Sequence, residues 1–174
     1  AYLLLLDRID PEAPAILKRI RAMGIKTSVD VVSAEKARFA EVVLPAIEHV
    51  DYLIFNEIEA GESTGHRIRR EDGTVDREAL LAAAKDLFRD NLVVIHMPEG
   101  ALAYSKEGQL YVPSRPVEKI VSSVGAGDAF CAGTLYGLHE EWPLEKCLDL
   151  GHRAAAACLG HHPTTGGLRP VAAL

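Results

Sequence analysis

Short apolar runs alternate with segments of helical spacing along the whole chain. Residues 2–6 and 92–97 are almost continuously apolar, which is typical of strands that are covered on both faces. Further strands are predicted at residues 25–32, 52–55 and 117–121, and a β-hairpin at residues 101–105 and 110–112. This alternation predicts an α/β fold with a mainly parallel sheet.

Helical periodicity fills the intervals between these strands. Helices are predicted at residues 15–23, 34–50, 57–64, 76–89, 125–138 and 144–159. Asp10-Pro11 precedes the first of these helices, and Gly24 and Gly65 are placed to end the first and the third. Pro45 is expected to interrupt the second helix. The polar stretch 66–73, in which three arginines are followed by two acidic residues, is predicted to be a solvated loop.

The composition fits a soluble globular chain and excludes several other classes. Of the 174 residues, 48% are hydrophobic and 25% charged, and 19 Lys and Arg stand against 25 Asp and Glu. The apolar content argues against disorder, and the longest apolar run is far shorter than the roughly 20 residues of a membrane helix. A net charge of −6 without a basic cluster disfavours nucleic acid and anionic membranes as partners. The length suits one domain over residues 1–174.

The cysteines and the start of the chain bear on where the protein works. Cys131, Cys147 and Cys158 form no C-x-x-C pair and are odd in number, which favours reduced thiols in the cytoplasm. Ala1 opens an apolar segment with no basic region before it, so a signal peptide is not expected. A buried strand as the first element leads us to expect that residues preceding it are missing from this chain.

Residues 117–138 carry the most informative pattern. An apolar run leads through Ser122-Ser123-Val124 into Gly125-Ala126-Gly127-Asp128 and a helix of small residues. Small residues at a helix start let backbone N–H groups approach a phosphate, which the helix dipole also attracts. The Asp128 carboxylate would then suit a general base that takes the proton of a hydroxyl attacking the terminal phosphate. In the alternative interpretation, Asp128 only caps the helix and the glycines form a tight turn. The four-residue motif taken alone favours this structural role.

A second polar cluster follows the strand at residues 52–55. Asn56, Glu57 and Glu59 stand at its carboxyl end, where ligands gather in parallel sheets. Their oxygens suit a hydrated magnesium ion beside a phosphate, whereas the alternative is an acidic first helical turn favoured by the dipole.

Two common nucleotide-binding motifs are absent from the sequence. There is no G-x-x-x-x-G-K-[ST] motif, and Phe130 replaces the third glycine of the dinucleotide fingerprint. A P-loop NTPase is thereby excluded, and a Rossmann-type oxidoreductase is poorly supported.

Together these segments resemble the ribokinase-like (PfkB) carbohydrate kinase family. Asn56-Glu57-x-Glu59-Ala60 contains the family's N-x-x-E motif, Glu99-Gly100-Ala101 follows the next strand, and the GAGD-A-F-x-A-G run is its best-known signature. The resemblance extends from Leu3 to near Gly167, which corresponds to the C-terminal half, or slightly more, of a typical member. It implies a three-layer α/β/α sandwich with a mainly parallel sheet.

The resemblance also implies roles for individual residues. Asp128 would be the catalytic base and contact the substrate, with Gly125, Ala126 and Gly127 as the anion hole. Asn56 and Glu59 would hold magnesium and phosphate, and Glu57 is a weaker candidate. The remaining contacts implied are those to the nucleotide, from His96, Glu99, Gly100 and His152, and an acidic substrate contact that aligns loosely with Asp7.

The chain departs from the family pattern in three places. Ser122 replaces an Asp associated with a monovalent-cation site, which argues against potassium dependence, and the Ser122-Ser123-Val124 triplet is similar to that of the phosphosugar-kinase branch. Pro98 stands where a Gly is usual in the nucleotide loop and removes a backbone donor. The family's N-terminal substrate and lid region, which often makes a homodimer, is absent from this chain.

The sequence therefore predicts an ATP-dependent carbohydrate kinase, a phosphotransferase acting on an alcohol group of a sugar or sugar-like molecule. Its partners would be ATP with Mg²⁺, a small sugar substrate, and a second copy through the absent lid. Two alternatives stay open: a non-catalytic nucleotide-binding member of the same fold, and the Rossmann-type oxidoreductase. The residues that select the substrate fall mostly in the absent region, so the sequence does not name the substrate.

Overall fold

The computed structural model describes residues 13–29, 44–162 and 165–174. The strand predicted over residues 2–6, most of the helix predicted over residues 34–50, and Asp7 lie outside the described residues. The chain forms two compact units, Ala1–His96 with Leu102–Gln109, and Met97–Ala101 with Leu110–Leu174. A single catalytic portion over residues 1–174 stays a prediction.

A five-stranded sheet runs in the order β1-β2-β3-β4-β5. β1 (Ser28–Val29), β2 (Tyr52–Asn56) and β3 (Leu92–Met97) are parallel neighbours. β4 (Gly100–Ser105) and β5 (Gly108–Pro113) follow through two-residue connections, which are short enough only for antiparallel pairs. The sheet is therefore mixed. Asn56 lies at the carboxyl end of β2, in the parallel part of the sheet.

The interior of β2 and β3 is fully buried, as the continuous apolar sequence of the two strands predicts. The buried side chains are those of Leu53, Ile54, Phe55, Val93, Val94 and Ile95, each at most 1% exposed. In the pairing register Asn56 lies beside His96, so the polar residues that end the two strands are neighbours.

Three helices of the first unit are α1 (Ala13–Ala22), α2 (Glu57–Thr64) and α3 (Arg77–Leu87), and residues 44–47 are also helical. α2 has the predicted bounds because Asn56 caps its start and Gly65, at φ 77°, ends it in the left-handed region. α3 ends two residues before the predicted position, since Phe88 has already turned to extended backbone.

The second unit is built on α4 (Ala126–His139) and α5 (Leu144–Leu159), followed by a short 3₁₀ helix, Val171–Ala173. The two long helices approach closely because glycines line their contact. A Cβ atom on Gly133 would lie 2.9 Å from the Leu150 carbonyl oxygen, and one on Gly151 would lie 2.9 Å from the Phe130 carbonyl oxygen. Among the described residues, no helix has the length and hydrophobicity that crossing a bilayer demands.

The strand predicted at residues 117–121 is wrong, since this described segment contains no strand. The backbone N–H groups of Val121 and Ser122 donate to the Leu159 carbonyl at 2.8 and 3.3 Å. Ile120 is 65% exposed. The apolar run is therefore held by the end of α5 instead of a neighbouring strand, which a reading of local hydrophobicity does not reveal.

Candidate active site

Asn56 joins the end of β2 to the start of α2 through a capping box. Its Oδ1 accepts the backbone N–H groups of Ile58 and Glu59 at 2.9 and 2.8 Å. In return, Oε2 of Glu59 accepts the backbone N–H of Asn56 at 2.9 Å. These reciprocal bonds fix both side chains at the carboxyl edge of the parallel strands.

The chemistry of this cap determines how magnesium could be held there. Glu59 is 4% exposed and carries a carboxylate, the hard oxygen ligand that magnesium prefers. Oδ1 of Asn56 already accepts two N–H groups, so it does not suit a direct metal bond. The amide nitrogen of Asn56 is a donor and suits a phosphate oxygen. The pair thus fits a magnesium–phosphate group in which Glu59 would coordinate the metal and the Asn56 amide would donate a hydrogen bond to the phosphate.

No wider metal cluster accompanies this pair in residues 13–29, 44–162 and 165–174. Groups of three or more His, Cys, Asp or Glu side chains that could hold a metal are absent from that part of the chain.

Glu57, the weaker magnesium candidate, is engaged in an ion pair. Its Oε1 accepts from Nε of Arg69 and also lies 2.9 Å from Nη2 of that guanidinium. Nη1 of Arg69 donates to the Gly73 carbonyl at 2.8 Å. Arg69 therefore ties the 66–73 loop to the first turn of α2. The sequence analysis predicted solvated arginines here and missed this pair, because sequence separation alone does not show which of the arginines meets Glu57.

The GAGD turn starts α4 from a left-handed residue. Gly125 has φ 83° and supplies no side-chain cap, and the N–H of Ala126 donates to the Ser123 carbonyl at 3.3 Å. The N–H groups of Gly127 and Asp128 belong to the first turn, for which a helix has no internal acceptors. Asp128 is exposed, whereas Ala129 and Phe130 after it are buried. One helix end thus combines backbone donors with an accessible carboxylate.

Cys158 of α5 lies behind this turn. It is 1% exposed and packs with Ala129 and Ala154 in a small apolar cluster. Burial raises the pKa of the Cys158 thiol, and the negative charge of Asp128 raises this pKa further. The thiol is therefore neutral and close enough to Asp128 to sense its charge, a proximity that sequence reasoning missed.

The nucleotide contacts implied by the family fall in both units. His96 ends its part of β3 beside Asn56 in the first unit. In the second unit the Glu99 carbonyl accepts the Tyr111 hydroxyl at 3.0 Å and the Ser114 N–H at 3.1 Å. A Cβ atom on Gly100 would lie 2.6 Å from the Val112 carbonyl oxygen, so only glycine fits there.

His152 is buried at the contact between α4 and α5. Its Nε2 is hydrogen-bonded to the Val112 carbonyl at 3.1 Å, and its ring centroid lies 5.0 Å from that of Phe130. Burial lowers the pKa of His152, so the ring is neutral with Nε2–H donating to the carbonyl. Its contact with a nucleotide stays a prediction.

The structure thus groups the predicted residues by unit. Asn56, Glu59 and His96 lie together in the first unit. Gly125, Ala126, Gly127 and Asp128 form the start of α4 in the second unit.

Comparison with known proteins assigns the chain to a family. Residues 9–170 match the family described as pfkB family carbohydrate kinase. The chain belongs to this family. A 5-dehydro-2-deoxygluconokinase of Geobacillus kaustophilus is 33% identical over 81 residues, which are 47% of this chain and 24% of the relative. An adenosine kinase of Schizosaccharomyces pombe is 34% identical over 134 residues, which are 73% of this chain and 39% of the relative.

A solved structure shares the fold of this chain. Arabidopsis thaliana ribokinase, in complex with ribose and ATP, has a TM-score of 0.74 at 18% identity, over 92% of this chain and 49% of that one. The fold is therefore α/β and ribokinase-like, as the sequence analysis predicted. The chain spans about half of that structure and less than half of the curated relatives. Membership in a kinase family with this fold leaves the Rossmann-type oxidoreductase without support.

Proposed function

We propose that the whole protein is an ATP-dependent kinase that phosphorylates an alcohol group of a sugar or sugar-like molecule. The observation that carries the proposal is the start of α4, where Gly125 opens the helix without a side-chain cap and Asp128 is exposed in the first turn. Backbone donors and a carboxylate on one helix end suit a hydroxyl that attacks a phosphate. The relatives named above are kinases, which supports the same chemistry.

Asp128 acts as general base in this mechanism. Its carboxylate accepts the proton of the substrate hydroxyl while the hydroxyl oxygen forms a bond to the γ-phosphorus of ATP. The bond from that phosphorus to the bridging oxygen breaks, and ADP leaves. Residues 125–127 form an anion hole that stabilises charge on the transferred phosphoryl group, with the Gly127 N–H as its main donor because the Ala126 N–H already donates to the Ser123 carbonyl. Asp7 would add an acidic contact to the substrate.

The capping box between β2 and α2 would hold magnesium, with Glu59 supplying a carboxylate ligand and the amide N–H of Asn56 donating to a phosphate oxygen. The ion would supply neutralisation of the phosphate charge. Glu57 takes no part, because Arg69 already pairs with its carboxylate.

The nucleotide contacts proposed are His96, Glu99, Gly100 and His152. Gly100 allows the Val112 backbone to approach closely, and the neutral His152 ring packs against Phe130 between α4 and α5. Ser122 in place of an acidic residue leaves no carboxylate for a monovalent cation, so activity would not depend on potassium. Three buried free thiols suit a reducing compartment such as the cytoplasm.

The substrate is tested with the full-length protein and ATP across a panel of sugars, phosphosugars and nucleosides. Because of the relatives' names, the panel includes 5-dehydro-2-deoxygluconate and adenosine. Phosphate transfer to one member, lost without magnesium and unchanged between sodium and potassium buffers, is the expected result. ATP binding without transfer to any member would contradict the proposal and favour a non-catalytic nucleotide-binding protein.

A further inference from the structure

The end of α5 holds the segment that leads into the GAGD turn. The Leu159 carbonyl accepts the N–H groups of Val121 and Ser122 at 2.8 and 3.3 Å. One residue earlier, Sγ of Cys158 lies 3.7 Å from the Val124 carbonyl oxygen, to which the thiol donates. The last two residues of α5 therefore bind three points of the backbone at residues 121–124.

Cys158 contacts both sides of the GAGD turn. Its thiol reaches the Val124 carbonyl immediately before Gly125, and its side chain packs with Ala129 immediately after Asp128. Gly125 lies between these contacts with its backbone in the left-handed region. Glycine can adopt many other backbone conformations, so contacts on both sides are needed to keep this one. Fixing residues 124 and 129 restricts the turn to the orientation observed.

We propose that Cys158 is a positioning residue for phosphoryl transfer, which sets the backbone N–H groups of the anion hole and the Asp128 carboxylate relative to each other. The inference rests on the proposed kinase function. The geometry matters for the rate because a misplacement of reacting groups by about 1 Å lowers the rate about 100-fold in some enzymes. Cys158 itself touches no substrate, since it is 1% exposed.

Cys147 offers a matched control on the same helix. It too is buried, and its thiol donates to a backbone carbonyl, that of Trp142, at 3.4 Å. It belongs to the first turn of α5, whereas Cys158 belongs to the last. Cys147→Ala and Cys158→Ala therefore remove the same atom and the same type of hydrogen bond at opposite ends of α5.

The first readout is amide hydrogen exchange in the full-length protein, which needs no turnover. We expect exchange across residues 122–128 to accelerate about fivefold in Cys158→Ala, as loss of one such hydrogen bond would give, and to stay unchanged in Cys147→Ala. Cys158→Ser, which keeps a donor, should lie between wild type and Cys158→Ala. Equal exchange across this segment in all variants would overturn the positioning role.

The second readout is steady-state kinetics with the substrate identified above. Cys158→Ala should lower kcat about tenfold and leave KM for ATP within twofold, while Cys147→Ala keeps wild-type kcat. Equal kcat losses in both variants would show a general structural effect and overturn the inference. If wild type transfers phosphate to no panel compound, the kinase proposal fails on its own evidence, and the exchange result still decides whether Cys158 fixes the turn.

Discussion

Replacing Gly151 by alanine tests whether the close contact between α4 and α5 holds the second unit together. A Cβ atom there would lie 2.9 Å from both the Cδ2 atom and the carbonyl oxygen of Phe130, and would overlap the Thr134 hydroxyl. Two of these neighbours belong to buried side chains, and the third is helix backbone, so none can move aside freely. The helices must therefore separate to accept the methyl group.

The size of the effect is a difference between two opposing contributions. Overpacking a close contact costs about 1–3 kcal/mol, whereas replacing glycine by alanine inside a helix gains about 1 kcal/mol. Because the obstacles include backbone, the upper part of the overpacking range applies. We expect Gly151→Ala to lower the free energy of unfolding by about 1–2 kcal/mol.

Urea unfolding of the full-length protein, followed by circular dichroism, measures this loss. Gly160→Ala is the matched control, since Gly160 caps the same helix at φ −78° and its nearest obstacle to a Cβ atom is 3.9 Å away. Its free energy of unfolding should stay within about 0.5 kcal/mol of wild type. A Gly151→Ala protein as stable as Gly160→Ala would refute the packing argument.

Three further predictions concern the capping box, the buried histidine and the GAGD turn. Asn56→Asp should keep the cap and the stability but lower kcat, because it replaces an amide donor by a charge near phosphate, whereas Asn56→Ala should also cost about 1 kcal/mol of unfolding free energy. Equal stability of the two variants in urea would contradict the cap. The lowered pKa of His152 means that the unfolded chain binds its proton first. The free energy of unfolding should thus fall as pH drops below about 6.5, less so in His152→Asn, and identical pH profiles of wild type and variant would refute this. Gly125→Ala should cost about 1–2 kcal/mol, since φ is 83°, and unchanged urea midpoints would show that the turn adapts.

Local signals in the sequence predicted much of the fold. The bounds of α2, β3 and α5 agree with the predicted ones. Asn56 and Gly65 mark the ends of α2 by interactions within a few residues, which sequence reveals directly. The small residues at the start of α4 were predicted to open a helix. Small residues are needed in this helix because α4 and α5 approach closely at Gly133 of α4 and Gly151 of α5.

The features that sequence reasoning missed depend on residues far apart in the chain. Residues 117–121 have the composition of a strand, but the Leu159 carbonyl binds their end. Arg69 was expected in solvent, yet it pairs with Glu57. Cys158 was predicted only as a small buried thiol, although it contacts the segment before the GAGD turn. Each of these partners is selected by tertiary packing, which periodicity and capping rules do not encode.

The central claim is that Asp128 is the base of a phosphoryl transfer. The most direct measurement compares kcat of Asp128→Asn with that of Glu145→Gln in the full-length protein, together with ATP affinity by calorimetry. Glu145 is an exposed acid in the first turn of α5, as Asp128 is in α4, so both variants remove one negative charge from a helix start. We expect a kcat loss of about a thousandfold in Asp128→Asn, with ATP affinity preserved and wild-type kcat in Glu145→Gln. A kcat of Asp128→Asn within a few fold of wild type would contradict it.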